Sequence, residues 1–222
     1  MNLKSKIKLV IFDMDGLMLD TEIIHFKTWV KYAKKYGYDY DITKRHIFAG
    51  MTDKKVVSIL GQEMGDLVKA KTMREEILSE RKRIFSNPNI SLKKKGLIEL
   101  LDYLDSNDIS YIIASSSGKN RIEYLLKKEG LFDRCKNVIS GEDVENSKPS
   151  PEIFIKAAEI MGCRKQEALI LEDSENGYQA AYKSGINYMI IPDSSFEYND
   201  LSVEESYDDL FAVIDKLENC KE

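Results

Sequence analysis

The sequence predicts an α/β fold: a doubly wound parallel sheet with a helical insert after its first strand. Three observations predict it. Five short runs, at residues 7–12, 109–114, 137–140, 167–172 and 188–191, are rich in Val, Ile, Leu and Tyr and mostly lack alternating polarity. Strands buried on both faces of a parallel sheet read this way. Helical stretches separate the later runs, and strands alternating with helices imply right-handed crossovers in one sheet. The stretch from 21 to 86 breaks this rhythm, with no convincing strand and several helical segments.

Taken in order, residues 7–12 open the sheet. Thr21 then caps a helix running to Tyr36, with Gly37 as its stop and Ile23, Phe26, Val30 and Ala33 as its apolar stripe. Further helices cover 53–64 and 66–85, and Ser86-Asn87-Pro88-Asn89 breaks the chain. A βαβ crossover needs one helix, so the insert reads as a separate cap over 21–86, with a core of 1–20 and 87–222. Packing of these helices on the sheet as part of one domain is the alternative. Beyond it come helices at 96–106, 119–129, 151–161 and 175–184, with Pro151 suited to a first turn and Gly130, Gly162 and Gly185 at helix ends. Lys93-Lys94-Lys95 reads as a solvated hinge segment.

Composition narrows the function classes. The chain has 222 residues, 43% hydrophobic and 32% charged, enough for a sizeable core. A net charge of −5 argues against broad nucleic-acid or anionic-membrane binding. Cys135, Cys163 and Cys220 are odd in number and form no CxxC pair, so a reducing cytoplasmic setting is expected rather than disulfides or zinc. No apolar run has the length of a membrane span, and the opening Met-Asn-Leu-Lys-Ser-Lys is not expected to be a cleaved leader. Nothing in the sequence forces a dimer, and a monomer is expected.

Four polar clusters follow an apolar strand or open a helix. The first is Asp13-Met14-Asp15-Gly16. Alternate residues of an extended chain face one way, so both carboxylates can address one small volume at the strand's carboxyl end. Like charges so close repel unless a cation or proton lies between them, which suggests a divalent metal and an aspartate nucleophile. A hairpin turn at Asp-Gly is the alternative, weakened by the helical signal that follows. The second is Ser115-Ser116-Ser117-Gly118, whose hydroxyls and helix-start N–H groups suit a phosphate, or form an ordinary polar loop. The third is Lys148, ahead of the turn Pro149-Ser150-Pro151; it could neutralise a phosphate or a carboxylate, or stand solvated. The fourth is Glu172-Asp173, acids at a strand end that could complete a magnesium site with Asp13 and Asp15, or simply be hydrated. In a parallel sheet these ends gather on one rim.

The set Asp13-Met-Asp15-Gly-Leu-Met-Leu-Asp20-Thr21-Glu, Ala-Ser115-Ser-Ser, Ser-Lys148-Pro-Ser-Pro-Glu-Ile-Phe and Leu-Glu172-Asp173-Ser-Glu-Asn-Gly resembles the haloacid dehalogenase-like (HAD) hydrolases, with all motifs in the expected order over essentially the whole chain. It is similar to the branch holding β-phosphoglucomutase and small sugar-phosphate or nucleotide phosphatases, which carry a helical cap after the first strand. The resemblance implies an HAD-like core with Mg2+ and a small phosphorylated substrate. It implies Asp13 as nucleophile forming an aspartyl-phosphate, and Asp15 as general acid and base, its backbone carbonyl on the metal. Asp173 is implied as a direct metal ligand and Glu172 as one acting through water, with Ser115, Ser116 and Lys148 on the phosphoryl oxygens.

In the insert, the resemblance points to Thr21 at the hinge, His25 beside it, and Gly50, Thr52 and Asp53 in the specificity loop. An ordinary helix-surface histidine is the other reading of His25. β-Phosphoglucomutase places an Arg where Asp53 aligns, and an acid there would repel a bisphosphate. Hydrolysis to free phosphate is therefore the expected activity, with a β-phosphoglucomutase-type transfer as the alternative. A receiver-like signalling domain shares the sheet and a phosphorylated Asp but lacks a cap of this size. A dinucleotide-binding module lacks its GxGxxG after the first strand.

Overall fold

A computed structural model describes residues 6–41, 48, 51–193 and 205–219. The chain divides into two compact units, Met1–Asp20 with Ser91–Glu222, and Thr21–Ile90.

The first unit is built on a five-stranded, wholly parallel sheet. Its strands are β1 (Leu9–Phe12), β2 (Ser110–Ser115), β3 (Val138–Ser140), β4 (Ala168–Glu172) and β5 (Asn187–Ile190), in the order β3-β2-β1-β4-β5. β1 is central, with Phe12 level with Ile113 of β2 on one side and Leu171 of β4 on the other. The order reverses between β1 and β4, and such a switch point opens a crevice at the carboxyl ends of the strands. Asp13 follows β1 there, and Glu172 ends β4.

All four residues of β1 are fully buried, so both faces of the sheet are covered. On one face Leu9, Ile11, Ile112, Ile139 and Ile170 pack with Ile153, Phe154 and Ala157 of α6 (Glu152–Ile160) and Ala180 and Ala181 of α7 (Glu175–Ser184). Each such side chain removed from water stabilises the fold by roughly 1.5–3 kcal/mol before entropy is counted. α4 (Leu97–Ser106) meets β2 and also α8 (Phe211–Glu218), while α5 (Lys119–Lys128) links β2 to β3. α8 was not among the helices expected from the sequence.

Lys93-Lys94-Lys95 departs from the solvated segment expected. Lys94 Nζ lies 2.9 Å from Asp20 and 2.7 Å from Asp193, with its side chain only 14% exposed. Lys93 donates to the Glu129 backbone carbonyl at 3.0 Å, and Lys95 pairs with Asp209 at 2.8 Å. A nearby acid fixes each ammonium.

The second unit contains α1 (Thr21–Tyr36), α2 (Asp53–Met64) and α3 (Leu67–Phe85). Gly37 ends α1 with φ +62, the left-handed conformation that glycine adopts without steric cost. Thr21 is the first helical residue rather than a residue ahead of the helix. The expected apolar stripe of α1 is rotated: Thr28, Trp29 and Ala33 are buried, whereas Val30 is 38% exposed. Trp29 sets this orientation. Its ring stacks on Phe48 at 4.8 Å and Tyr40 at 5.6 Å, over a core of Val56, Leu60, Ala70, Met73 and Ile77. Lys31–Glu80 and Lys35–Glu76 tie α1 to α3 across the exposed side. No helix of the described residues is long and apolar enough to cross a membrane.

Candidate active site

The loop after β1 is pinned before its acids are placed. Met14, Leu17, Met18 and Leu19 are buried, and Met18 and Leu19 N–H groups both donate to the Met14 carbonyl at 3.0 Å. The Asp13 N–H donates to the Leu171 carbonyl at 3.0 Å, extending the β1–β4 ladder past the strand end. No hairpin forms at Asp15-Gly16, because β1 is flanked by parallel partners on both sides.

Gly16 has φ +94, and a Cβ there would stand 2.1 Å from the Asp173 carboxylate. Gly177, in the first turn of α7, likewise leaves no room: its Cβ would lie 1.7 Å from Glu172 Oε1. The two glycines open the space into which the β4 acids fit.

Asp13, Glu172 and Asp173 form one group, with an oxygen of each within 4.8 Å of the others. Lys148, delivered by the turn before α6, reaches Asp13 Oδ1 and donates to Glu172 Oε1 at 2.7 Å. Its side chain is 6% exposed. The other Glu172 oxygen accepts from the Asp173 and Ser174 N–H groups at 2.5 and 2.9 Å and from Ser174 Oγ at 3.2 Å. Glu172 thereby spends both oxygens on holding Lys148 and the start of α7.

Lys148 contacts two of the three carboxyls, Asp13 and Glu172, and the proton affinities follow. Burial pushes the Asp13 carboxyl up to about 8, with Lys148 pulling it down and Glu172 and Asp15 adding to the rise. Burial, then Glu172 and Asp13, hold Asp173 well above the usual carboxylate range. Burial also opposes ionisation of Glu172, but Lys148 and the N–H groups of Asp173 and Ser174 outweigh it and keep it below its usual value. Lys148 is raised despite its burial, because Asp13 and Glu172 both favour the ammonium. An all-oxygen donor set of three crowded carboxyls suits a hard divalent cation, which would favour their ionised forms.

Asp15 turns its side chain the other way. Its Oδ2 accepts from Ser117 Oγ at 2.8 Å and lies 3.5 Å from Ser115 Oγ, and its Oδ1 accepts from Arg121 Nη2 at 2.7 Å. Ser115 is buried at the end of β2, where its Oγ accepts from the Ser117 N–H at 3.1 Å. Ser116 is exposed.

The expected core residues thus separate into an acid–lysine group (Asp13, Lys148, Glu172, Asp173) and Asp15 with Ser115, beside which Ser117 stands in place of the expected Ser116. Arg121 was missed; it lies in the first turn of α5, just after the run of hydroxyls.

In the helical unit the remaining expected residues have local partners. Thr21 is buried at the start of α1. His25 Nδ1 lies 3.7 Å from Glu22, and its ring meets Phe85 edge-on at 5.8 Å. Thr52 caps α2, its side chain accepting from the Lys55 N–H. Asp53 Oδ1 accepts from Arg74 Nε and Nη2 at 2.9 and 2.6 Å. Gly50 lies outside the described residues.

The sequence model of one family, described as haloacid dehalogenase-like hydrolase, matches residues 10–191. A phosphorylated carbohydrates phosphatase of Thermotoga maritima is 28% identical over 177 residues, covering 80% of this chain and 81% of the relative. The fructose-1-phosphate phosphatase YqaB of Escherichia coli is 27% identical over 179 residues, covering 80% of this chain and 93% of the relative. A solved β-phosphoglucomutase from Clostridium difficile aligns with a TM-score of 0.66 at 23% identity, over 96% of this chain and 98% of that one. That likeness speaks to the fold alone.

Proposed function

This chain belongs to the haloacid dehalogenase-like hydrolase family and is a phosphomonoester hydrolase; we propose that it is a magnesium-dependent phosphatase of a small phosphorylated metabolite, a sugar phosphate or nucleotide, acting through an aspartyl-phosphate on Asp13. The observation that carries the reading is the buried group of Asp13, Lys148, Glu172 and Asp173 at the β1/β4 switch point.

In this reading Asp13 attacks phosphorus, and the P–O bond to the leaving group breaks as Asp15 gives that oxygen a proton. Asp15 then takes a proton from water, whose oxygen attacks the phosphoryl group and frees Asp13. Splitting one hard displacement into two is the gain of covalent catalysis. Lys148, charged and buried beside Asp13, offsets the negative phosphoryl oxygens, and Ser115 supplies a hydroxyl at the end of β2. Asp13, Asp173 and the Asp15 carbonyl would hold magnesium, with Glu172 acting through water. Bound there, the ion would neutralise charge on the transferring group. The exposed Ser116 leaves its backbone N–H as its contribution.

We assign substrate choice to the helical unit, inserted between β1 and the rest of the sheet, with Thr21, His25, Gly50, Thr52 and Asp53 as its candidate contacts. Asp53, already held by Arg74, presents no positive charge to a second phosphate, so the phosphotransferase alternative is not favoured.

The test is phosphate release from a panel of sugar phosphates and nucleotides with magnesium, alongside Asp13→Asn. Release by wild type and none by the variant supports the reading. Isomerisation of β-glucose 1-phosphate without phosphate release would replace it by a transferase.

A further inference from the structure

Asp15 is gripped from two sides by residues outside the acid–lysine group. Arg121 Nη2 donates to its Oδ1 at 2.7 Å, and Ser117 Oγ to its Oδ2 at 2.8 Å. Arg121 Nε also reaches Ser117 Oγ at 3.2 Å, so the three side chains close a ring. The planar guanidinium fork suits this double duty, which a lysine could not reproduce.

The frame behind the ring is firm. The Gly141 N–H donates to the Ser117 carbonyl at 3.3 Å, and a Cβ on Gly141 would come within 2.4 Å of the Ser116 carbonyl, so this loop and the end of β3 lie in direct contact. Arg121 stands in the first turn of α5, where its backbone N–H donates to the Gly118 carbonyl at 3.0 Å. Both donors to Asp15 therefore come from backbone fixed by its own hydrogen bonds.

We propose that Arg121, acting with Ser117, is a positioning residue for Asp15: it fixes the carboxylate on the Ser115 side of the pocket, apart from the Asp13 group, where a leaving group would meet it. This rests on the reading of Asp15 as the proton donor and acceptor. Without the guanidinium, Asp15 loses the donor that holds its Oδ1 and gains rotamer freedom, so its proton reaches the leaving oxygen less often.

The consequence depends on the leaving group. An alkyl phosphate such as glycerol 1-phosphate expels a strongly basic oxygen and needs the proton. p-Nitrophenyl phosphate expels a stable phenolate and scarcely needs it. General acid catalysis contributes about 10²–10⁴-fold and misplacing a reacting group by an ångström costs about 10²-fold, so Arg121→Ala should lower kcat/KM for the alkyl ester by about 30–100-fold. The same variant should lower kcat/KM for p-nitrophenyl phosphate by less than about threefold, since that ratio reports only steps through phosphoryl transfer. Arg121→Lys should restore part of the loss, and Ser117→Ala should show the same selectivity more weakly.

An equal loss on both esters overturns the proposal, because a structural or phosphate-binding role would not distinguish leaving groups. No loss on either makes the pair a bystander and overturns it as well. Wild-type protein that hydrolyses neither ester sinks the phosphatase reading and this inference together, whereas equal loss leaves that reading standing.

Discussion

Two lysines of the α/β unit, their side chains 6% and 14% exposed, each bridge two carboxylates in different surroundings. Lys148 lies between Asp13 and Glu172, and Lys94 between Asp20 and Asp193. Contact geometry and burial are similar. The difference lies in what surrounds the acids. Around Lys148 a third carboxylate, Asp173, crowds in, and the charge is out of balance. Around Lys94 one acid, Asp20, is 38% exposed and shares its charge with water. A lysine between two acids is thus no signal of chemistry by itself; under the proposed reading, the third acid beside it is.

The comparison can be broken at several points. The largest effect is expected for Asp13→Asn, which should cut phosphate release by at least about 10³-fold while circular dichroism and the thermal midpoint stay near wild type. Substantial remaining turnover would deny Asp13 its place as nucleophile. Chelation comes next: EDTA should bring activity to background and added magnesium should restore it, while hydrolysis that ignores EDTA would contradict the proposed metal. Lys148→Met should then cost about 10²–10³-fold in kcat. Lys94→Met should do the reverse. It leaves the buried Asp193 without its ammonium, so chemical denaturation should show a loss of about 2–3 kcal/mol, with kcat within about threefold of wild type. Equal kinetic losses for the two lysine variants would erase the distinction.

The smallest effect is a pH dependence. Burial opposes the charge on Lys94, but Asp193 and Asp20 outweigh it and raise its affinity for a proton. Its contribution is therefore fully present below the ordinary lysine value of about 10.4 and disappears as pH rises through the higher folded value. The stability gap between wild type and Lys94→Met should be flat near neutrality and narrow only in alkali. A gap that narrows on acidification above pH 6 would contradict this sign.

Much of this was legible in the sequence because the signals are local. Apolar runs of four to six residues ending in acids or hydroxyls located β1, β2 and β4 and their polar ends, and Gly16 marked the turn that admits Asp173. What escaped was decided by packing. The α1 stripe rotated because Trp29, the largest apolar side chain of that helix, must be enclosed, and periodicity alone does not rank its residues by size. Ser117, not Ser116, joins Ser115 beside Asp15, the i, i+2 pairing that the alternation of an extended chain would have named. Lys94 read as solvated because both its acids, Asp20 and Asp193, lie far away in sequence. α8 was overlooked although Leu210, Val213 and Leu217 recur at helical spacing and are buried.

The order β3-β2-β1-β4-β5 has a bearing on biosynthesis. Asp13 leaves the ribosome well before Lys148, Glu172 and Asp173, which emerge more than a hundred residues later. Over that interval the nascent chain carries the Asp13 carboxylate without Lys148, Glu172 and Asp173, the groups that shift its proton affinity in the folded protein. Only when β4 docks beside β1 is the constellation assembled, so under the proposed reading activity waits for that pairing of strands.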